Sequence, residues 1–415
     1  MLFILTLPED SVFGANGSNI IVTTRSRNVA SIMDLIELPK DIHKLVNLRY
    51  LDIRGTCLKS MPLKIGELKN LQKLRDFFVG EDHGSSISEL GALCNLHGSL
   101  FIHDIEHVVN YKDSEKAKLK EKHGLEKLSL DWGGSGDTDN SQHEKIILRS
   151  LEPHSNMKEL DINDYPGTEF PDWLGDYIFC KMVSLKLKGC KYCCKLPPLG
   201  QLPMLKELHI IKFEGLMSVG SEFYGNRTSS STDSFPTLEI LRIESMSVCE
   251  KWCFDADNVG SRAFRNLPSS LPSLTLLVIR DCKRLLCPLP KSPSLRVLNI
   301  QNCQKLEFHA HAPWYHQSLT SLYLIDSCDS LMFLTLDLFP NLKSLDIRGC
   351  ENLEELTVSA SDVSPPNFNS LNSMCIRHCP NFTSFPKGGF AAPKLNLLTI
   401  NYCQKLNSLL KICMS

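Results

Sequence analysis

The stretch LKSLDIRGC, residues 342–350, decides how this 415-residue chain is read. Leu342, Leu345 and Ile347 are apolar, Asp346 and Arg348 are polar, and Cys350 closes the phrase. Alternation over Leu345–Arg348 is the period-two pattern of a short strand with one buried face. One such strand cannot bury that face by itself, so the phrase has structural meaning only if it recurs. LTLLVIRDC (274–282), LRVLNIQNC (295–303), LNSMCIRHC (371–379) and LNLLTINYC (395–403) repeat it with the same spacing. LRYLDIRGT (48–56) and LKELHI (205–210) carry its core, and looser copies are LEKLSLDW (125–132), MKELDIND (157–164), MVSLKLKGC (182–190), LEILRIES (238–245) and LTSLYLIDSC (319–328).

The first apolar residue of each strand gives fourteen markers: Leu51, Leu74, Leu100, Leu128, Leu160, Leu185, Leu208, Leu241, Leu277, Leu298, Leu322, Leu345, Met374 and Leu398. Their mean spacing of about 27 residues lies in the leucine-rich-repeat range. The expected fold is therefore an α/β solenoid, a leucine-rich-repeat horseshoe with a parallel strand ladder on its concave face. Polar insertions at 133–141, 225–234 and 359–366 lengthen surface loops without altering the core. Pro- and Gly-containing returns such as KLPPLGQLPML favour extended or short helical turns. KDSEKAKLKEKHG (112–124) instead predicts a charged, solvated helix ended by Gly124.

Composition narrows the function classes. A formal net charge of -2 gives no electrostatic reason to expect nucleic acid. No apolar run reaches the roughly 18 residues of a membrane span, and the opening MLFILTL is too short for a signal-peptide core. A cytoplasmic chain is expected, and Asn16, Asn226 and Asn381 are then chance glycosylation matches. Of its 17 cysteines, Cys190, Cys282, Cys303, Cys350, Cys379 and Cys403 share one place after the strand, and Cys328 falls one residue late. Structural buried thiols are expected there. The CxxC of Cys190–Cys193 and the histidines of HAHAPWYH (His309, His311, His316) are too sparse to define a metal site. With no Walker A loop, HExxH or nucleophile elbow, no enzyme is expected.

Function then falls to the residues that alternate outward on the strands. They include Arg242 and Ile211, a central group of Val278, Tyr323 and Ile325, and the arginines Arg280, Arg348 and Arg377. Exposed apolar groups rimmed by arginine suit a protein partner. The segment 278–377 is expected to carry those contacts.

These motifs resemble those of plant nucleotide-binding leucine-rich-repeat disease-resistance proteins of the coiled-coil type. The resemblance runs through LPKDIHKLVNLRYLDIRGTCLKSMPLKIGELKNLQKL, LRDFFVG, ELGALCNLHGSLFIHDIEHV, LPPLGQLPMLKELHI and FPTLEILRIESMSVCEKW. GSNIIVTTRSRNVASIM, ending at Met33, is similar to the family's strand after the Walker B region, where Thr23, Thr24 and Arg25 would lie near nucleotide phosphates. The resemblance implies a remnant of the nucleotide-binding domain over residues 1–33 and about 14 repeats over 34–415. ADP or ATP is the family's cofactor, but no cofactor is expected here, because the phosphate-cradling loop is missing. The implied partner is a pathogen effector or host protein, or an intact family member. The implied role is innate-immune recognition coupled to a nucleotide switch; the alternative is a decoy, a scaffold or a nonfunctional receptor fragment.

Overall fold

The computed structural model describes residues 38–53, 56, 58–81, 84–134, 141–225, 234–252, 271–286, 289–290, 292–306, 317–358, 368–386, 389–407 and 412–413. The expected boundary at residues 33–34, with Thr23, Thr24 and Arg25, lies outside them, as do His309, His311 and His316. The chain divides into two units between Cys190 and Lys191.

In the first unit, the short strand Tyr50–Leu51 pairs in parallel with Lys73–Leu74. A parallel ladder follows through Asp76–Phe78, His97–His103, Gly124–Asp131, Glu159–Asn163 and Ser184–Lys188. Leu100, Leu128, Leu160 and Leu185 face one another rung by rung, and all are fully buried. Returns use 3-10 turns at Ile65–Glu67, Ile87–Ala92 and Leu119–Glu121, together with the helix Ser141–Ser150. That helix packs Ile147 and Leu148 inward, while Glu144 accepts the Trp132 Nε1–H at 2.8 Å.

The solvated helix expected over 112–124 is not what forms. An α-helix covers only Tyr111–Lys116, capped by the Asn110 side chain, and Gly124 opens a strand instead of ending a helix. Lys122 is the physical reason. It is 2 % exposed, and its Nζ donates to the carbonyls of Leu90 (2.6 Å) and Leu93 (2.9 Å), the open end of the previous return's 3-10 turn. Burial lowers the pKa of this lysine. A helix running on to residue 124 would give up that junction.

The second unit holds eight parallel strands: Glu207–Ile211, Ile240–Glu244, Leu276–Arg280, Val297–Gln301, Ser321–Ile325, Ser344–Arg348, Ser373–Arg377 and Leu397–Asn401. Their register is uninterrupted, with Leu208, Leu241, Leu277, Leu298, Leu322, Leu345, Met374 and Leu398 in one row. All but Leu398, 38 % exposed, lie within 1 % of full burial. Short parallel pairs such as Phe333–Thr335 with Glu355–Thr357 form on the returns. Phe223, Tyr224, Phe235 and Trp252 pack there as an aromatic cluster with edge-to-face and tilted contacts.

Each rung ends the same way. The residue after the strand adopts a left-handed conformation: Asp281, Asn302, Asp326, Gly349, His378 and Tyr402 have φ from 49° to 61°. Asp, Asn and Gly tolerate that region best. The turn aims the next cysteine inward, as expected, although Cys403 on the last rung is only partly buried. Cys282 and Cys303 each donate to the carbonyl two residues back at 3.1 Å, and to the preceding rung, at Ile243 (3.8 Å) and Ile279 (3.6 Å). Burial pushes the thiols of Cys249 and Cys350 up to about 12 and that of Cys379 up to about 11. Asparagines also tie rung to rung, as when Asn352 and Asn381 donate to the carbonyls of Asp329 (2.8 Å) and Glu351 (2.9 Å). No helix among the described residues is long and apolar enough to cross a membrane.

Candidate functional site

Period-two alternation leaves three outward rows on the second unit's ladder. The third row reads Ile211, Glu244, Arg280, Gln301, Ile325, Arg348, Arg377 and Asn401. Strands lie about 4.8 Å apart, so Arg280 and Arg377, four rungs apart, stand roughly 19 Å from each other. Tyr323 and Ile325 occupy the rung midway between them, both half-buried. The Nε of Arg280 and of Arg377 is shut off from solvent and has no hydrogen-bond partner among the described residues. Each Nε is therefore out of a partner's reach, and any contact falls to the two Nη groups.

Not every expected residue is equally available. Arg348 is engaged by its own strand, Nε to Asp346 Oδ1 at 2.8 Å and Nη2 to Oδ2 at 2.5 Å. Arg242 lies 3.9 Å from Glu244, a loose and partly exposed pair. Val278 corrects the sequence reading: it is 2 % exposed and offers no apolar surface. Its register neighbours on the adjoining strands are Arg242 and Asn299. Cys375, in register with Asp346 and Thr399, is likewise only 7 % exposed.

The first outward row went unread in the sequence. Ile240, Leu276 and Val297 are in register on consecutive strands and each is half-buried, which makes a continuous apolar strip at the opposite end of the strands from Arg280. Further along, Ser373 donates to Ser344 Oγ at 2.9 Å, so that row turns polar. Extending the alternation one step before each marker leucine would have found it.

The first unit's outward face holds a cluster that no linear motif signals. His103 stacks on Phe78 with ring centroids 4.7 Å apart and sits between two carboxylates. Its Nδ1 lies 3.7 Å from Asp131 Oδ2, and its Nε2 lies 3.2 Å from Asp76 Oδ1. Asp131 and Asp76 together raise the imidazole pKa to about 9 against the cost of burial. The outcome is one imidazolium shared between two carboxylates.

Comparison with known proteins places this geometry. A family model described as R13L1/DRL21 leucine-rich repeats matches residues 87–213. Disease resistance RPP13-like protein 1 of Arabidopsis thaliana is 38% identical over 342 residues, covering 80% of this chain and 31% of that protein. The chain belongs to the plant disease-resistance family of leucine-rich-repeat proteins. Disease resistance proteins RGA4 and RGA2 of Solanum bulbocastanum are 32% and 31% identical, over 63% and 71% of this chain. The chain spans 24% and 27% of their lengths, so the shared region is a part of each relative. Among solved structures, the yeast Rad7–Elc1 complex aligns over 72% of this chain and 79% of the matched one, at 15% identity and a TM-score of 0.32.

Proposed function

We propose that this chain acts in plant innate immunity as a recognition module, binding a pathogen effector or a host protein on the outward rows of its second unit. The observation that carries the reading is the half-buried pair Tyr323 and Ile325, midway between the part-exposed Arg280 and Arg377 on the same outward face. The strip of Ile240, Leu276 and Val297 adds apolar surface in the first outward row. Aromatic and arginine anchors surrounded by half-buried apolar groups are the composition of interface centres. Arg348, held by Asp346, serves as a fixed rim charge, and Val278 drops out of the contact set. Names of the relatives support the immune setting, and a cytoplasmic location accords with the reducing environment that buried free thiols prefer.

Nucleotide is left out of this reading. The family strand that resembles 18–33 supplies Thr23, Thr24 and Arg25, but phosphate binding needs a loop of backbone N–H groups that these 415 residues do not spell. These residues then contribute sensing or restraint. The test is co-immunoprecipitation from challenged plant tissue with the full chain and a variant carrying Arg280→Glu, Tyr323→Ala, Arg348→Glu and Arg377→Glu together. Proteins retained by the parent chain should be lost by the variant at unchanged expression. Equal capture by both refutes this face as the site.

A further inference from the structure

A second outward site lies in the first unit, apart from the face just described. Lys73 and Arg75 flank Leu74, which is 1 % exposed, so both cations project to solvent from one extended segment. Each is backed by a ring: Lys73 Nζ lies 5.6 Å from the Tyr50 centroid, and the Arg75 guanidinium lies 4.9 Å from that of Phe101. Neither has a carboxylate within ion-pair distance among the described residues. Lys127, 5.9 Å from the same Phe101 ring, is held instead by Glu159 at 2.7 Å. These side chains line a groove of about 540 Å³. Its floor opens where the register shifts between Gly98 and Ser99, and Gly98, at φ 81°, has nothing within 4 Å of the place a Cβ would take.

We propose that this groove binds an extended acidic peptide of a partner protein through an acid-x-acid motif. In an extended peptide, side chains two residues apart share a face about 6.6 Å apart. Lys73 and Arg75 are likewise two residues apart, on either side of the buried Leu74. One carboxylate meets each cation, while the Tyr50 and Phe101 rings hold the cations in place and keep water from their inner sides. A compact phosphate suits the site less well, because it needs donors converging on one point. Here the two open cations are spread along the segment, and the third is already paired.

The test is fluorescence anisotropy of the full chain with a labelled octapeptide of alternating glutamate and serine, and its glutamine counterpart as control. The glutamate peptide should bind, the glutamine peptide should not, and Lys73→Gln with Arg75→Gln should weaken binding roughly tenfold. Both residues are exposed, so circular dichroism melting of the double variant should match the parent; Arg75→Gln alone should show an intermediate loss. Absent binding at low salt, equal binding by the double variant, or displacement of the peptide by a tenth as much tripolyphosphate overturns the proposal. The fourfold variant at Arg280, Tyr323, Arg348 and Arg377 should still bind the peptide, which separates this site from the other face.

Discussion

Replacing His103 by glutamine tests whether charge, and not packing, holds the first unit's outward face. The imidazole pKa of about 9, against an ordinary 6.5, records how much better the folded state binds the proton. At 1.36 kcal/mol per unit, that rise has an upper limit of about 3.4 kcal/mol. The side chains of His103, Asp76 and Asp131 are 27%, 19% and 32% exposed, so water screens a good part of it. We expect about 1–2 kcal/mol after that discount. The sign follows from linkage: a raised pKa gives stability that is complete below pH 6.5 and is lost as pH climbs through 9. His103→Gln should therefore lower the urea midpoint at pH 6, and the gap should close by pH 10. A titration of the His103 ring protons by NMR gives the folded-state pKa directly. A gap equal at both pH values would assign the loss to the stacking on Phe78, and a titration near 6.5 would sink the ionic account altogether.

Three further outcomes are expected. Leu322→Ala, in a fully buried row between Leu298 and Leu345, should cost about 2–5 kcal/mol by urea unfolding, whereas Tyr323→Ala next to it should cost about 1. Gly349→Val should destabilise by roughly 1–3 kcal/mol, because φ 61° disfavours a branched side chain and its Cβ would run into Asp326 Oδ1. Iodoacetamide followed by peptide mass spectrometry should label the exposed Cys94, Cys180 and Cys194 in the native chain, and Cys249, Cys350 and Cys379 only after denaturation. Rapid native labelling of Cys350 would contradict its burial.

The strands were legible because their information is local: Leu345, Asp346 and Ile347 alternate within a single phrase, and thirteen of the fourteen marker residues are buried. The inward cysteines were legible for the same reason, their position being fixed by a turn two residues long. What escaped depends on neighbours about a repeat away in sequence. Lys122 reads as one more charge in a basic run, yet its amine bonds carbonyls 29 and 32 residues earlier. Val278 occupies an outward position, yet it is only 2 % exposed, between Arg242 and Asn299 on adjoining strands. His103, Asp76 and Asp131 come from three different strands, and no spacing in the chain announces their meeting. The candidate partner face was thus located by row from the sequence, while its individual members needed the register.

That division has a physical consequence for how such an array changes its ligand. In the second unit the inward rows are nearly uniform, Leu or Met facing Leu, with Ile in the companion row. The outward rows vary without order, from Tyr323 to Asp346 to Cys375 on successive rungs. Because side chains alternate, an outward substitution removes little buried area and opens no cavity in the spine. Each rung also touches only its neighbours, so the effect of a substitution stays local. Arg348 shows the limit of this freedom: its bonds to Asp346 keep the guanidinium on its own strand, and a partner must either accept that geometry or compete for it. Arg280 and Arg377 carry no such tie to a neighbouring acid among the described residues. Affinity should therefore respond more strongly to Arg280→Ala or Arg377→Ala than to Arg348→Ala. An equal loss from all three would mean that the partner displaces Asp346 on binding.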